Sequence, residues 1–461
     1  MSLYQLPLNR VIERRLCREY YGKNDPSAIN PGGSVDEKLC KLDEIQEDLG
    51  WIQGVMETVW IVGDFIMTIP MTFMADRYGR RAILLLNLVP RIAMLCWAVI
   101  VGYFEQLLPT KAIIAGPLLS ILGGDCVFNS ITYALASDLT DDHVLRATYF
   151  GYMSSISYVV GLLGPALASA TMTLLLWLPF WIGILLLLLA VPAITLLPST
   201  RTTSRNGSEP NDEQARPLLS SPLLKAQDTE GSLLRSVAGR FGTLHSIITS
   251  HPRNFSLLLL SFLLTSLASS DTKLLVQYIS KRYHWTFASA GYLLSGKAVV
   301  NFTLLTVIVP AVLRAREATR SGTLFAESPD KANVRYAKAC LIVSVVGALA
   351  IACAADVWLL FPSLLIYALG SALPIFTLSL LKSPAVSPPH GKDPEDPSNP
   401  ESHIFSIVML VKTVGSLLGA PLMATLWVRG IGLGGAALGM PYFVSASCYI
   451  LAILVFSGIR V

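Results

Sequence analysis

Charge is what this sequence has least of. Only 14% of its 461 residues are charged, against roughly 25% in a usual soluble domain. That leaves too little polar surface to cover a water-soluble fold of this size. The seven cysteines are scattered, with no CxxC pair, so no metal framework or dithiol redox motif is indicated. The opening residues, MSLYQLPLNRVIERRLCREYY, hold no apolar h-region and do not read as a cleaved signal peptide. There is no Walker A loop, no HExxH and no GxSxG, which disfavours ATP-driven work and an intramembrane enzyme. No cofactor is implied. The net charge of +4 is too small to argue for nucleic acid, and no basic stripe carries interleaved aromatics.

What the chain does have is apolar length: 53% of its residues are hydrophobic and the mean hydropathy is +0.56. A helix needs about 20 mostly apolar residues to cross the hydrocarbon of a bilayer. Candidate spans fall near 52–75, 82–104, 110–137, 147–170 and 174–197. Six more fall near 254–278, 287–313, 336–355, 358–382, 403–428 and 438–459. The expected fold is an all-α polytopic membrane protein of two helical bundles, 52–197 and 254–461, with about eleven spans. Between the bundles, residues 198–253 are rich in Ser, Pro, Asn and charge and cannot bury enough apolar area to order themselves. They read as a disordered linker, in which RPLLSSP is a weak sorting or phosphorylation signal.

Orientation follows the Lys and Arg of the loops. The loop with Arg77, Arg80 and Arg81, the linker, and the loop from Arg314 to Lys338 are basic and fall on one side, expected to be cytoplasmic. Lys281 and Arg282 dissent. Residues 1–51 then form an extracytoplasmic segment. There Cys17 and Cys40 are free to bridge or to stay thiols. A bridge would contribute about 3 kcal/mol by loop closure. The sequons at Asn206, Asn254 and Asn301 fall in the linker, at a cytoplasmic span end and inside a span, so none is expected to carry a glycan.

Charge is concentrated in one short stretch, ADRYGRR (75–81). An acidic group at a cytoplasmic helix end can pair with nearby arginines and with the positive N-terminus of a neighbouring helix, a latch that forms in one conformation and breaks in another. This stretch resembles the DRxGRR loop between the second and third helices of the major facilitator superfamily, matching at Asp76, Arg77, Gly79, Arg80 and Arg81. It departs at Thr72, where the family usually has glycine. GLLGPALAS resembles a degraded form of the fifth-helix motif associated with antiporters. Gly161, Gly164 and Pro165 belong to it, and Ala168 and Ser169 replace the usual glycines. The resemblance implies Asp138 and Arg146 as gate partners. The segment CREYY…LC is similar to the first external loop of the proton-coupled folate transporter branch and its fungal relatives. On that resemblance the chain lacks the family's first helix, through a truncated gene model or a real shortening. A real shortening would favour a non-transporting protein.

Ionisable groups near the bilayer centre cost about 2.5–3.5 kcal/mol each on insertion scales, so each needs a reason. Asp64 and Asp125 lie mid-span, with Asn129 one turn beyond Asp125 on the same face. Each carboxylate is either a proton carrier or one half of a permanent interhelical pair. Lys297 and Lys412 are central in later spans, where they would bind an anionic substrate, pair with a carboxylate or snorkel. Arg91 reads as a structural pairing partner, and Glu57 and Asp271 as solvated span ends or mouth residues. The expectation is a monomeric secondary transporter of a small organic molecule in the plasma membrane, coupled to protons and exporting. Uptake of a folate-like organic anion is the alternative.

Overall fold

The computed structural model describes residues 3–30, 35–105, 107–138, 143–196, 253–308, 311, 329–381 and 400–459. The linker, with Asn206 and RPLLSSP, lies outside the described residues. So do the side chains of Asp76, Arg77, Asp138 and Arg146. Among the described residues there are helices and turns and no strand. In chain order the main helices are α1 (Gln5–Asn24), α2 (Asp43–Tyr78), α3 (Arg80–Tyr103), α4 (Asp125–Asp138), α5 (His143–Leu174), α6 (Leu178–Thr195) and α7 (Arg253–Ala268). They continue with α8 (Leu275–Arg282), α9 (Phe287–Thr303), α10 (Pro329–Cys353), α11 (Val357–Leu369), α12 (Leu373–Leu381), α13 (Pro400–Leu433) and α14 (Met440–Ser457). Among the described residues, seven helical stretches are long and apolar enough to cross a bilayer. Helix α6 is apolar all round, and Trp181, Leu185, Leu186, Leu188 and Leu189 are each more than half exposed. That surface suits hydrocarbon, since a helix apolar on every face needs an apolar surrounding.

The chain forms two compact units that interleave along the sequence. One comprises the described residues within 1–196, 270–299 and 420–441, the other those within 253–269, 300–419 and 442–461. The first unit has a core of Met71, Ala75, Ile83, Leu84, Leu88, Val127, Ile131 and Ile194, drawn from α2, α3, α4 and α6. Helices α2 and α3 are joined by Gly79 alone, at φ +95°. Its N–H caps Ala75 O at 2.9 Å. A residue with a Cβ would be strained there, which accounts for the glycine inside ADRYGRR.

Helix α1 is polar by composition, yet Leu8, Val11, Ile12, Leu16 and Cys17 are buried, and with them Glu13 and Arg15. Buried charge needs partners. Glu13 receives Lys41 Nζ at 2.6 Å, Arg10 Nη1 at 2.9 Å and Gln46 Nε2 at 2.6 Å. Arg15 donates to the carbonyls of Val101, Glu105 and Leu108 at the end of α3 and just beyond. Burial holds the Glu13 carboxyl above its ordinary range, against the smaller opposing pull of Lys41 and Arg10. Cys17 and Cys40 are joined by a disulfide, tying α1 to the segment that carries Lys41. Lys281 of α8 meets Asp43 at 2.6 Å and also bonds the Lys41 carbonyl.

The second unit packs through small residues, as helices do where lipid offers no hydrophobic drive. Gly347 of α10 lies against the backbone of Tyr367 in α11. The hydroxyls of Tyr367 and Tyr449 meet at 3.2 Å, and Ser445 Oγ donates to Ala268 O at 3.0 Å.

Removing Lys41 takes one buried cation from Glu13, which keeps Arg10 and Gln46. Lys41→Met is expected to cost about 1–3 kcal/mol, the usual cost of a lost buried partner, whereas Lys41→Met with Glu13→Leu costs clearly less than the two changes summed. Thermal unfolding midpoints of the four detergent-purified proteins check this. Additive losses would mean the pair carries no coupling.

Candidate functional site

The expected span 110–137 is not one continuous helix. It runs through the short turns Thr110–Ile114, Ala115–Leu118 and Leu119–Leu122, breaks at Gly123 and Gly124, and restarts as α4. Gly123 has φ +147°, a conformation few side chains tolerate. A Cβ on Gly123 would strike the Asn87 side chain, and one on Gly124 would strike the Asp64 carboxyl. The two glycines therefore let the backbone approach α2 and α3 closely.

A restarted helix has free N–H groups and a partial positive charge at its first turn. Inside a membrane, water cannot satisfy them. Here Asp64 of α2 does so: its Oδ2 and Oδ1 accept the Cys126 N–H at 2.9 and 3.2 Å. From α3, Asn87 Nδ2 donates to Gly124 O at 3.1 Å. Arg91 Nε donates to Asn87 Oδ1 at 3.0 Å, and Arg91 Nη2 meets Asp125 Oδ1 at 2.7 Å. The guanidinium also lies 5.3 Å from the centre of the Phe128 ring, within cation–π range.

The two carboxylates therefore sit in different surroundings. Asp64 is buried and held by a backbone amide, while Asp125 is 42% exposed at its side chain and held by a guanidinium. Protonating Asp64 weakens its hold on α4. Protonating Asp125 releases Arg91. Both changes act on the same break in the chain.

Asn129 shares the helix but not the cluster, being exposed. Asn87, Gly123 and Gly124 belong to this candidate cluster, and sequence reasoning missed them. The signal was there: a Gly-Gly-Asp break inside an apolar run, and a lone Asn one turn before Arg91. Lys297, half-buried in α9, lies within electrostatic reach of the buried Asp271. Lys412, also half-buried, accepts Ser266 Oγ on its carbonyl at 2.6 Å. Glu57 pairs with Lys273 at 3.1 Å. Gly164 and Pro165 are buried while Gly161 is exposed, and a Cβ on Gly291 of α9 would strike Ser169 one turn further on. Arg80 and Arg81 sit half-buried at the first turn of α3.

A model of the Major Facilitator Superfamily matches residues 42–392. The MFS efflux pump atnC of Emericella nidulans is 27% identical over 447 residues, covering 97% of this chain and 82% of that protein. The efflux pump ustT of Aspergillus flavus is 26% identical over 464 residues, with 98% and 84% covered. Among solved structures, the nucleoside transporter NupG aligns at TM-score 0.58 and 13% identity over 100% of this chain and 99% of its own. The human organic anion transporter MFSD10 aligns at 0.52 and 14%, over 99% and 98%. At such identities these structures speak for the fold alone.

Loss of the Asp64 cap is expected to cost about 1–2 kcal/mol, the usual worth of an N-cap. Asp64→Ala should lower the unfolding midpoint and speed amide exchange at Cys126. Asp64→Asn, which keeps an acceptor, should retain most of both. Equal protection of Cys126 in the Ala variant would mean the cap contributes nothing.

Proposed function

The chain belongs to the Major Facilitator Superfamily, and from that premise we propose that it exports a small organic molecule across the plasma membrane in exchange for protons. Membrane transport is the superfamily's activity, and the curated relatives above are transporters rather than enzymes. Export is supported by the efflux pumps among those relatives and by the antiporter-like residues Gly161, Gly164 and Pro165. Proton coupling rests on one observation: the buried Asp64 holds the free amide end of a broken helix, beside the Arg91–Asp125 pair.

A proton arriving from outside neutralises one carboxylate and loosens its grip on α4 or on Arg91. The helix break then shifts, substrate leaves, and release of the proton inside restores the contacts. Such a cycle needs a group whose proton affinity differs between the two conformations. Asp64 meets that need because its amide partner is available only while α4 keeps its present register. Asp76, Arg77, Arg80 and Arg81 with Gly79 would latch the cytoplasmic side, Asp138 and Arg146 would pair at the gate, and Lys297 and Lys412 would meet the substrate. The chain would work as a monomer. Uptake of a folate-like anion is the second reading, favoured by the CREYY…LC segment.

Inside-out vesicles from a host expressing the chain, given an acid lumen and a panel of labelled small organic compounds, decide between these readings. About one pH unit supports roughly a tenfold accumulation ratio at one proton per substrate. Export predicts accumulation in the lumen that a protonophore abolishes. Asp64→Asn with Asp125→Asn should lose this accumulation while keeping downhill exchange. Unchanged pH-driven accumulation in the double variant would remove both carboxylates from the mechanism, and accumulation only under the reversed gradient would establish uptake.

A further inference from the structure

A second polar site lies away from the Asp64 cluster, in the same compact unit. A cavity of about 350 Å³ opens beside α1, lined among others by Arg10, Arg14, Glu37, Met172, Leu176 and Thr286. Pockets that hold small ligands start near this volume and combine apolar walls with a few placed polar groups.

Arg10, Arg14 and Glu37 line the cavity, and Glu13 and Lys41 pair buried behind Arg10, three cations to two carboxylates in all. Both carboxylates are already engaged. Glu13 is held by Lys41 and Arg10, as described above. Glu37 takes Arg10 Nε at 3.2 Å on Oε2, while its Oε1 accepts the Phe287 N–H at 2.8 Å and lies 3.6 Å from Lys41. Arg14 is the cation left over. Its Nε is buried and has no hydrogen-bond partner among the described residues. A buried N–H donor left unpaired is costly unless an acceptor meets it, and the half-buried Arg14 side chain lines the cavity.

The cavity also has apolar lining, with Met172 and Leu176 at the end of α5 and just beyond. Thr173, also on the wall, spends its hydroxyl proton on Ala170 O at 2.8 Å and so offers an acceptor.

We propose that this cavity binds a small amphiphilic monoanion, its carboxylate or phosphodiester on Arg14 and its apolar body against Met172 and Leu176. A guanidinium matches a carboxylate or phosphate in shape as well as in charge. Charge balance sets the specificity. One negative charge completes the cluster at three against three, whereas a dianion brings a surplus charge to face Glu37. A neutral analogue leaves Arg14 unpaired. The occupant is either a free organic acid or the headgroup of an anionic lipid, which share this chemistry. The site stands apart from the direction and driving force of transport.

The test is binding to the full chain in phosphatidylcholine nanodiscs, with 1-naphthoate as the monoanion, a naphthalene dicarboxylate as the dianion and 1-naphthalenemethanol as the neutral form. Naphthoate should bind saturably and more tightly than the other two. Arg14→Gln should weaken it about tenfold or more, the worth of a charged hydrogen bond, with partial recovery in Arg14→Lys. Met172→Ala, outside the charge cluster, should weaken naphthoate too, which keeps the test informative if Arg14→Gln fails to fold. Adding phosphatidylglycerol distinguishes the sources. Competition that needs Arg14 assigns the site to a lipid headgroup, and absence of competition assigns it to a free acid. Equal binding of the alcohol and the acid, or naphthoate affinity unchanged in both Arg14→Gln and Met172→Ala, would overturn the proposal.

Discussion

A helix that breaks among packed neighbours must have its free amides satisfied by protein, and at the first turn of α4 the Asp64 carboxylate takes the Cys126 amide. The contact with the Cys126 amide explains why Gly124 stands at the break, since a Cβ there would strike the acceptor, while one on Gly123 would strike Asn87. It explains the neighbouring polar side chains as well. Once the Gly124 carbonyl is turned into the protein, Asn87 must donate to it, and Arg91 then bridges Asn87 and Asp125. One unsatisfied helix end thus organises four polar side chains from three helices.

The same rule governs α1. Its sequence is too polar to sit against other helices unaided, and it does so because each buried charge finds an opposite charge or a carbonyl. Lys41 occupies the middle of that arrangement, touching Glu13 and Glu37 and lying 4.4 Å from the centre of the Phe287 ring. The disulfide between Cys17 and Cys40 holds Lys41's segment in place. Arg14 escapes this pairing, and that separates the cavity beside α1 from a merely structural cluster.

These two clusters divide the work that polar groups do in an apolar protein. Around Asp64 the charges are few and their partners are a backbone amide and one guanidinium, so one proton changes the balance. Around Glu13 the charges are many and mutually compensated, so a single proton changes less. On the proposed function the same residue types build a switch around Asp64 and an anchor around Glu13, and the number of compensating partners sets the difference.

Class and rough architecture were legible in the residues themselves. Scarce charge and long apolar runs require a membrane, because no soluble fold could cover them, and ADRYGRR with its obligatory Gly79 pointed to the superfamily that residues 42–392 match. Asp64 and Asp125 stood out for the same reason, since a carboxylate in an apolar run always needs explaining. Their partners were not legible. Periodicity put Asn129 beside Asp125, but a broken helix does not carry a face across its break, and Asp125 turned to Arg91 on another helix. Which amide Asp64 would cap, whether Cys17 would reach Cys40, and which of five charges near α1 would be left over depend on distances between segments far apart in the chain. Composition and local pattern determined where this protein lives and which groups are expensive there. Only tertiary packing decided which of those groups compensate one another, because compensation is a property of proximity in space.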